Sequence, residues 1–174
     1  MLSALLRRAT FHVWIRALWA RIVVIPRERL PANDVNLYRE GRNDMLKGRR
    51  ALVTGGARRV GKAIALALAD AGCDVCVHYG SSGNEAAQVV GEIAARGRKG
   101  VCLEADLGKP DAPGALRRSV AEVFGPIDIL INNASYWPSP ARLDAAHDLL
   151  SESVENWDYT LAVNARAPFF LIQE

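Results

Sequence analysis

The sequence predicts an α/β fold on a doubly wound parallel sheet over residues 45–174, truncated after about four strands and preceded by a basic extension over residues 1–44. Three observations lead there. Short apolar runs alternate with stretches of helical period from residue 50 onward. A glycine-rich turn sits at the first strand–helix junction. Charge is also split unevenly along the chain. Strands that alternate with helices run parallel with right-handed crossovers, which covers both sheet faces. Of the 174 residues half are apolar and 24% charged, as in globular proteins and unlike disordered or fibrous ones. The net charge of +3 conceals 11 basic against 4 acidic side chains in residues 1–50 and 11 against 15 thereafter.

The elements follow in order. Ala51–Thr54 is a brief apolar run ending in Gly55-Gly56. Val60–Ala71 is a helix, with Ile64 and Leu68 one turn apart and Gly72 as its stop. Asp74–Tyr79 is the second strand. Asn84–Arg96 is a helix whose apolar face carries Val89, Val90, Ile93 and Ala94, closed by Gly97. Val101–Leu103 is the third strand. Asp111–Phe124 is a helix with Leu116, Val120 and Val123 on one side, and Ile127–Ile131 is the fourth strand. Tyr136-Trp137-Pro138-Ser139-Pro140 makes an aromatic loop. Ser151 or Ser153 then caps a long helix through Trp157, Leu161, Val163 and Phe169, bent at Pro168. The expected strand order, in sequence terms, is 3-2-1-4, which leaves the fourth strand as an exposed apolar edge prone to aggregation.

Residues 1–27 hold five arginines and no acid, with Leu2, Leu5, Leu6, Phe11, Trp14, Leu18 and Trp19 near helical period. This pattern fits an organelle transit segment or a membrane-surface helix. Arg8, Arg16 and Arg21 leave no run near the roughly 18 apolar residues a bilayer requires. A start at Met45, just ahead of the folded pattern, is the competing expectation, and a plain extension is a third. Membrane contact by residues 1–27 is not the favoured reading. With the basic charge confined to the first 50 residues, no nucleic-acid partner is expected.

Thr54-Gly55-Gly56-Ala57-Arg58-Arg59-Val60-Gly61 lies between strand and helix, the setting of a dinucleotide-binding loop in a Rossmann-like fold. Free N–H groups at the helix start suit a pyrophosphate. Gly55 permits the tight turn, Gly61 allows close helix–strand packing, and the two arginines add fixed positive charge. An ordinary turn is the alternative. A carboxylate at the end of the second strand would favour the unphosphorylated cofactor; here that strand ends His78-Tyr79-Gly80-Ser81-Ser82. Ser81 and Ser82, with Arg58 or Arg59, instead offer partners for a 2′-phosphate, unless Ser81-Ser82-Gly83 is simply a turn and helix cap.

Thr54-Gly55 through Gly61, Asp106 after the third strand, Asn132-Asn133-Ala134 after the fourth and Asn164 in the following helix resemble the short-chain dehydrogenase/reductase family across residues 49–174. Arg58-Arg59, His78-Tyr79, and Asn132-Asn133-Ala134-Ser135 followed by an aromatic pair and Pro-x-Pro are most similar to pteridine reductases. The resemblance implies an NADP(H)-dependent reductase acting on a small molecule, a planar heterocycle or a small carbonyl. By it, Arg59, Val60, Ser81 and Ser82 hold phosphates and ribose, Asp106 and Leu107 flank the adenine, and Asn133, Ala134 and Ser135 face the inner ribose and nicotinamide. Tyr136 matches an aromatic that stacks a pteridine, His78 a contact beside the adenosine, and Asn164 a residue that orients a catalytic water. Ser81 departs from the family pattern, where arginine is common. The family's Tyr-x-x-x-Lys pair, whose tyrosine donates the proton, has no match: Tyr38, Tyr79, Tyr136 and Tyr159 are followed four residues later by Arg42, Gly83, Pro140 and Val163. The alternatives are a 3-oxoacyl-type or sugar reductase, or a truncated, non-catalytic nucleotide-binding chain. A homo-oligomer is implied for the full-length family member.

Cys73, Cys76 and Cys102 are too few for a disulfide framework and suit a reducing, cytoplasmic setting. Cys73-x-x-Cys76 enters a buried strand instead of opening a helix, which makes the pair structural. His147 is expected on a solvated helix face, Trp157 and Phe169-Phe170 in the core or on an oligomer face, and no metal is expected from the ligand spacing.

Overall fold

The computed structural model describes residues 21–24, 46–137 and 153–173. Five strands, β1 (Arg21–Val24), β2 (Arg50–Val53), β3 (Asp74–Tyr79), β4 (Gly100–Glu104) and β5 (Ile129–Asn132), form one sheet in the order β1-β5-β2-β3-β4. The helices are α1 (Arg59–Asp70), α2 (Gly83–Ala94), α3 (Ala112–Val123), α4 (Val154–Leu161) and α5 (Ala167–Ile172), with a π-helical turn over Ala162–Arg166 between the last two. Strands β5, β2, β3 and β4 run parallel. Because β2 has β3 on one side and β5 on the other, the crossovers leave β2 in opposite directions. The carboxyl ends of β2 and β5 therefore flank the crevice where doubly wound sheets bind ligands.

Alternation along the strands divides the core into two layers. Ala51, Val53, Val75, Val77, Ile129 and Ile131 face α1 and α2. Leu52, Cys76 and Leu130 face α3 and α5, meeting Leu116, Val120, Phe124 and Leu171. Side chains that alternate with period two must sort this way when both faces are covered. Asp128 holds the incoming end of β2, accepting from the Arg50 amide at 3.0 Å and from Arg49 Nη1 at 3.1 Å. Asp74 does the same between β3 and β4, accepting from Arg98 Nε and the Lys99 amide on Oδ1.

Several helix faces differ from the periodicity reading. On α1 the fully buried positions are Gly61, Ala65 and Ala69, with Ile64 and Leu68 only partly covered. A stripe of small residues lets the helix axis approach the sheet, so the larger residues flank the contact instead of forming it. On α2, Ala86 joins Val89 and Ile93 inside, while Ala94 lies outside. Val123 of α3 is exposed, and Phe124 takes the buried place. Trp157, Phe169 and Phe170 are exposed, not core. Ser153 is the cap of α4, its Oγ accepting from the Asn156 amide. Pro168 has no N–H to continue the ladder, and the chain meets it with the π turn that immediately precedes α5.

β5 is not the bare edge that the strand pattern predicts: Arg21–Val24 pairs with it antiparallel, Arg21 opposite Asn132 and Val24 opposite Ile129. Residues 21–24, expected within a transit segment, a membrane-surface helix or a plain extension, thereby supply a strand to the sheet. Periodicity could not reveal this, because an edge strand is specified by its partner's unpaired backbone and not by a pattern of its own. Pro138, Ser139, Pro140, His147, Ser151 and the remainder of residues 1–27 lie outside the described residues. Among the described residues no helix is long and apolar enough to cross a membrane.

Removing residues 1–44 should uncover the apolar edge of β5. The shortened chain is expected to sediment as large aggregates where the full chain gives a discrete species at equal concentration. A shortened chain that stays monomeric would show that β1 does not protect the edge.

Candidate functional site

The site begins with a clasp between the loops that leave β2 and β5. Thr54, 2% exposed, donates from Oγ1 to the Ile131 carbonyl at 3.2 Å and accepts at the same atom from the Asn133 and Ala134 amides, each at 3.0 Å. That uses the full capacity of a hydroxyl. Asn133 replies with Nδ2, which donates to the carbonyls of Thr54 and Gly55 at 3.0 Å each. Gly55 has φ +63°, and a Cβ there would lie 2.9 Å from the Ala134 Cα. At Gly61 a Cβ would strike the Gly55 carbonyl oxygen and the Asn133 amide. Both glycines are required by proximity, as expected of a loop whose backbone must approach a ligand.

His78 secures the loop from the other side. Its Nδ1 accepts from the Gly55 amide at 3.2 Å and its Nε2 faces the Ala105 carbonyl at 3.0 Å. This pairing needs the neutral Nε2–H tautomer. Burial holds the imidazole's pKa below its ordinary 6.5, against the opposing pull of the Ala105 carbonyl. His78 lines the cleft, but both nitrogens are spent inside the protein, so it supports the loop and leaves no polar ring atom for an adenosine.

The start of α1 offers donors and positive charge. Its first turn contains no acid, and Arg58 at the N-cap makes no side-chain cap bond. Arg59 adopts φ +50°, a left-handed conformation that costs a non-glycine residue on the order of 1 kcal/mol. Arg58 lies 3.8 Å from Glu85, with its side chain 61% exposed. Arg59 has no ion-pair partner among the described residues, whereas Lys62 is bound to Glu92 at 2.7 Å. Across the cleft Ser82 is buried at the N-cap of α2, yet its hydroxyl makes no cap bond. Ser81 is exposed beside it.

The far wall comes from α4 and the loop after β4. Tyr159 Oη donates to Asp106 Oδ1 at 2.7 Å, and the Gly108 amide donates to the same oxygen at 3.0 Å. The Tyr159 bond holds the Asp106 carboxyl below its ordinary range, and Asp106 in turn pushes the phenol up to about 12. Pinned to a carboxylate, Tyr159 is no proton donor near neutral pH. Its ring meets Tyr136 edge to face at 4.6 Å, and the Tyr136 hydroxyl donates to Asn156 Oδ1. Asn164, in the π turn, donates from Nδ2 to the Tyr136 carbonyl and accepts from the Tyr136 amide, both at 2.8 Å.

A cleft of about 880 Å³ collects these groups. Gly55, Arg58, Arg59, Val60, Gly61, His78, Tyr79, Ser81, Ser82, Asp106, Leu107, Asn133, Ala134, Ser135 and Tyr136 all line it; Asn164 does not, its amide being turned to the Tyr136 backbone. Sequence reasoning missed Ala57, Gly80, Ala105, Val163 and Tyr159. Ala57 and Ala105 carry no distinctive chemistry, and Tyr159 reaches the cleft only because α4 packs over the loop after β4. Cys73 and Cys76 are buried away from it, their thiols pushed up to about 12 mainly by burial. Among the described residues no three His, Cys, Asp or Glu side chains gather as metal ligands.

The profile of the short chain dehydrogenase family matches residues 49–174. Versicolorin reductase 1 of Aspergillus parasiticus is 36% identical over 132 residues, covering 76% of this chain and 48% of that protein. A 3-oxoacyl-acyl-carrier-protein reductase of Staphylococcus epidermidis is 34% identical over 124 residues, 71% of this chain and 48% of the relative. Among solved structures, a short chain dehydrogenase from Burkholderia cenocepacia in complex with NADP superposes with TM-score 0.68 at 41% identity, over 75% of this chain and 50% of that one. The chain spans about half the length of the curated relatives it matches.

Two outcomes follow from the clasp. Thr54→Val keeps the shape but orphans the Ala134 amide and leaves the Asn133 amide only the Ile131 carbonyl at 3.1 Å, and should lower unfolding free energy by about 1–3 kcal/mol in urea titration, the cost of one unsatisfied buried group. An unchanged midpoint would show that the loops hold without it. For His78, the folded pKa lies below the unfolded one, so the unfolded chain binds the extra proton between them. Its contribution is therefore complete above pH 6.5 and lost as the pH falls below that value. The urea midpoint should fall between about pH 7.5 and 5.5, and His78→Gln, which does not titrate, should flatten that fall.

Proposed function

The chain belongs to the short-chain dehydrogenase family, and from that premise we propose that it is the cofactor-binding portion of an NADP(H)-dependent reductase. The observation that carries the reading is the charge pattern of the cleft. Arg59 has no ion-pair partner among the described residues, the Ser82 hydroxyl makes no cap bond, and Tyr79-Gly80-Ser81-Ser82 at the end of β3 bring no carboxylate. Such a surface suits a phosphorylated ribose and lacks the acid that would favour a free 2′-hydroxyl. Gly55 and Gly61, where a Cβ would strike the Ala134 backbone, the Asn133 amide or the Gly55 carbonyl, let the loop turn tightly and α1 begin close against it, an arrangement that suits a pyrophosphate at the helix N-terminus.

When bound, NADPH supplies a hydride. The amides at the start of α1 and the Arg59 guanidinium hold its pyrophosphate, with Val60 beside it. Ser81, Ser82 and Arg58 receive the 2′-phosphate, Arg58 sharing its charge with Glu85. Asp106 and Leu107 border the adenine. Asn133, Ala134 and Ser135 shape the wall toward the inner ribose and nicotinamide. Asn164 acts by position, fixing the backbone of Tyr136 with both ends of its amide.

For substrate class, we favour a planar heterocycle of pteridine type, stacked on Tyr136, whose ring is held by Tyr159 and Asn156. A 3-oxoacyl or sugar substrate is the second reading, supported by the 34% identity to a 3-oxoacyl reductase. The 174 residues contain no Tyr-x-x-x-Lys, so this portion binds the cofactor without turning over substrate unaided, as a non-catalytic nucleotide-binding chain also would. Exposed Trp157, Phe169 and Phe170 give α4 and α5 an apolar face suited to a twin subunit. Three free cysteines suit the cytoplasm.

Calorimetric titration of the chain tests the cofactor. NADPH should bind at least about tenfold more tightly than NADH, a preference that salt weakens and Arg59→Ala largely removes. Equal affinity for the two would overturn the assignment of the phosphorylated form.

A further inference from the structure

The direction in which β1 joins the sheet decides where the basic leader is tethered. Its register sets Arg21 opposite Asn132 and Val24 opposite Ile129. Arg21 therefore stands beside the carboxyl end of β5, just before Asn133, Ala134 and Ser135, which line the cleft. Residues 1–20 are attached at that end, and residues 25–45 at the opposite end beside Ile129. The two flanks differ in charge. Residues 1–20 hold Arg7, Arg8 and Arg16 and no acid, whereas the four arginines of residues 25–45 are balanced by Glu28, Asp34, Glu40 and Asp44. The uncompensated charge lies on the cleft side of β1.

We propose that residues 1–20 are a charge-steering segment, tethered by β1 at the carboxyl edge of the sheet so that the cleft captures a phosphorylated dinucleotide faster than its own charge allows. The inference rests on the cofactor reading above and adds a role for the leader. Among the described residues lining the cleft, Arg58 and Arg59 are the cations and Asp106 the carboxylate, and Arg58 lies 3.8 Å from Glu85. A distant anion feels so small an excess only weakly, because the Debye length is about 8 Å at physiological ionic strength. Arg16 is five positions before Arg21, so the chain keeps its Cα within about 18 Å of the Arg21 Cα. The four residues of β1 separate the two flanks by about 10 Å, more than the screening length, so it matters which flank carries the charge. Charge along the approach path acts on the rate of encounter more than on the contacts finally made.

Stopped-flow fluorescence of NADPH mixed with the full chain, at low and high salt, is the test. Arg7→Gln, Arg8→Gln and Arg16→Gln together leave β1 in place and should slow association about threefold or more at low ionic strength, with the dissociation rate unchanged. The difference should vanish near 1 M salt, where the Debye length falls to about 3 Å. Arg7→Lys, Arg8→Lys and Arg16→Lys together keep the charge and should retain the wild-type rate. Arg27→Gln, Arg29→Gln and Arg39→Gln together remove as much charge from the other flank and should slow association by less than about 1.5-fold. Equal slowing by the two glutamine variants would overturn the proposal in favour of net charge alone. Faster association in the first would overturn it in favour of a leader that covers the cleft. A wild-type rate in the first would overturn it while leaving the cofactor reading intact, and a wild-type chain that does not bind NADPH would bring down both.

Discussion

Everything at the mouth of the cleft depends on one threonine hydroxyl that serves three partners. Thr54 Oγ1 joins the end of β2 to the end of β5 by donating to one carbonyl and accepting from two successive amides. The backbone pairing of β2 with β5 ends with the Thr54 amide donating to the Ile131 carbonyl at 2.9 Å, and beyond it no strand ladder holds the two departing loops together. The hydroxyl carries the connection one step further, and Asn133 doubles it from the opposite loop. The gap between the loops is thereby set to a fixed width, and only glycine fits at Gly55 and Gly61 because that width is small. The loop between β2 and α1 is held by contacts within the protein itself, and on the cofactor reading proposed above its remaining amides would meet an anion without an ordering cost.

Much of the architecture was legible from residue types. Strand–helix alternation fixed the parallel sheet and its order, and the glycine spacing placed the cleft. The faces of α1 and α2 were less legible, because a stripe of small residues carries almost no hydropathy signal even where it makes the closest contact. The edge strand was invisible for a different reason. Arg21–Val24 contains no alternation that would distinguish it from the basic, acid-poor stretch around it, and its pairing is dictated by β5.

The site divides in the same way. Arg59, Ser82 and Asp106 could be nominated because their chemistry is explicit and their position follows from the topology. His78 was legible as a cleft residue, but its task was not. Only the distances show that both ring nitrogens point inward and that the imidazole braces the Gly55 turn against Ala105. Asn164 was expected near the reacting groups. It lies in a π turn that aims its amide at the Tyr136 backbone, a geometry no sequence period encodes. Tyr159 escaped notice since nothing in a helix of mixed polarity indicates which phenol will cross to a carboxylate 53 positions earlier.

The antiparallel seat of Arg21–Val24 also limits how the sheet can grow. A strand's flank admits a single neighbour, and on β5 that place is already taken. Any additional strand seeking to widen the sheet on this side would have to evict the leader, exchanging one set of backbone bonds for another with little net gain in enthalpy. Such an exchange would be decided by which newcomer buries more apolar surface, so that the leader behaves as a stopper whose grip is only as firm as its competitor is weak.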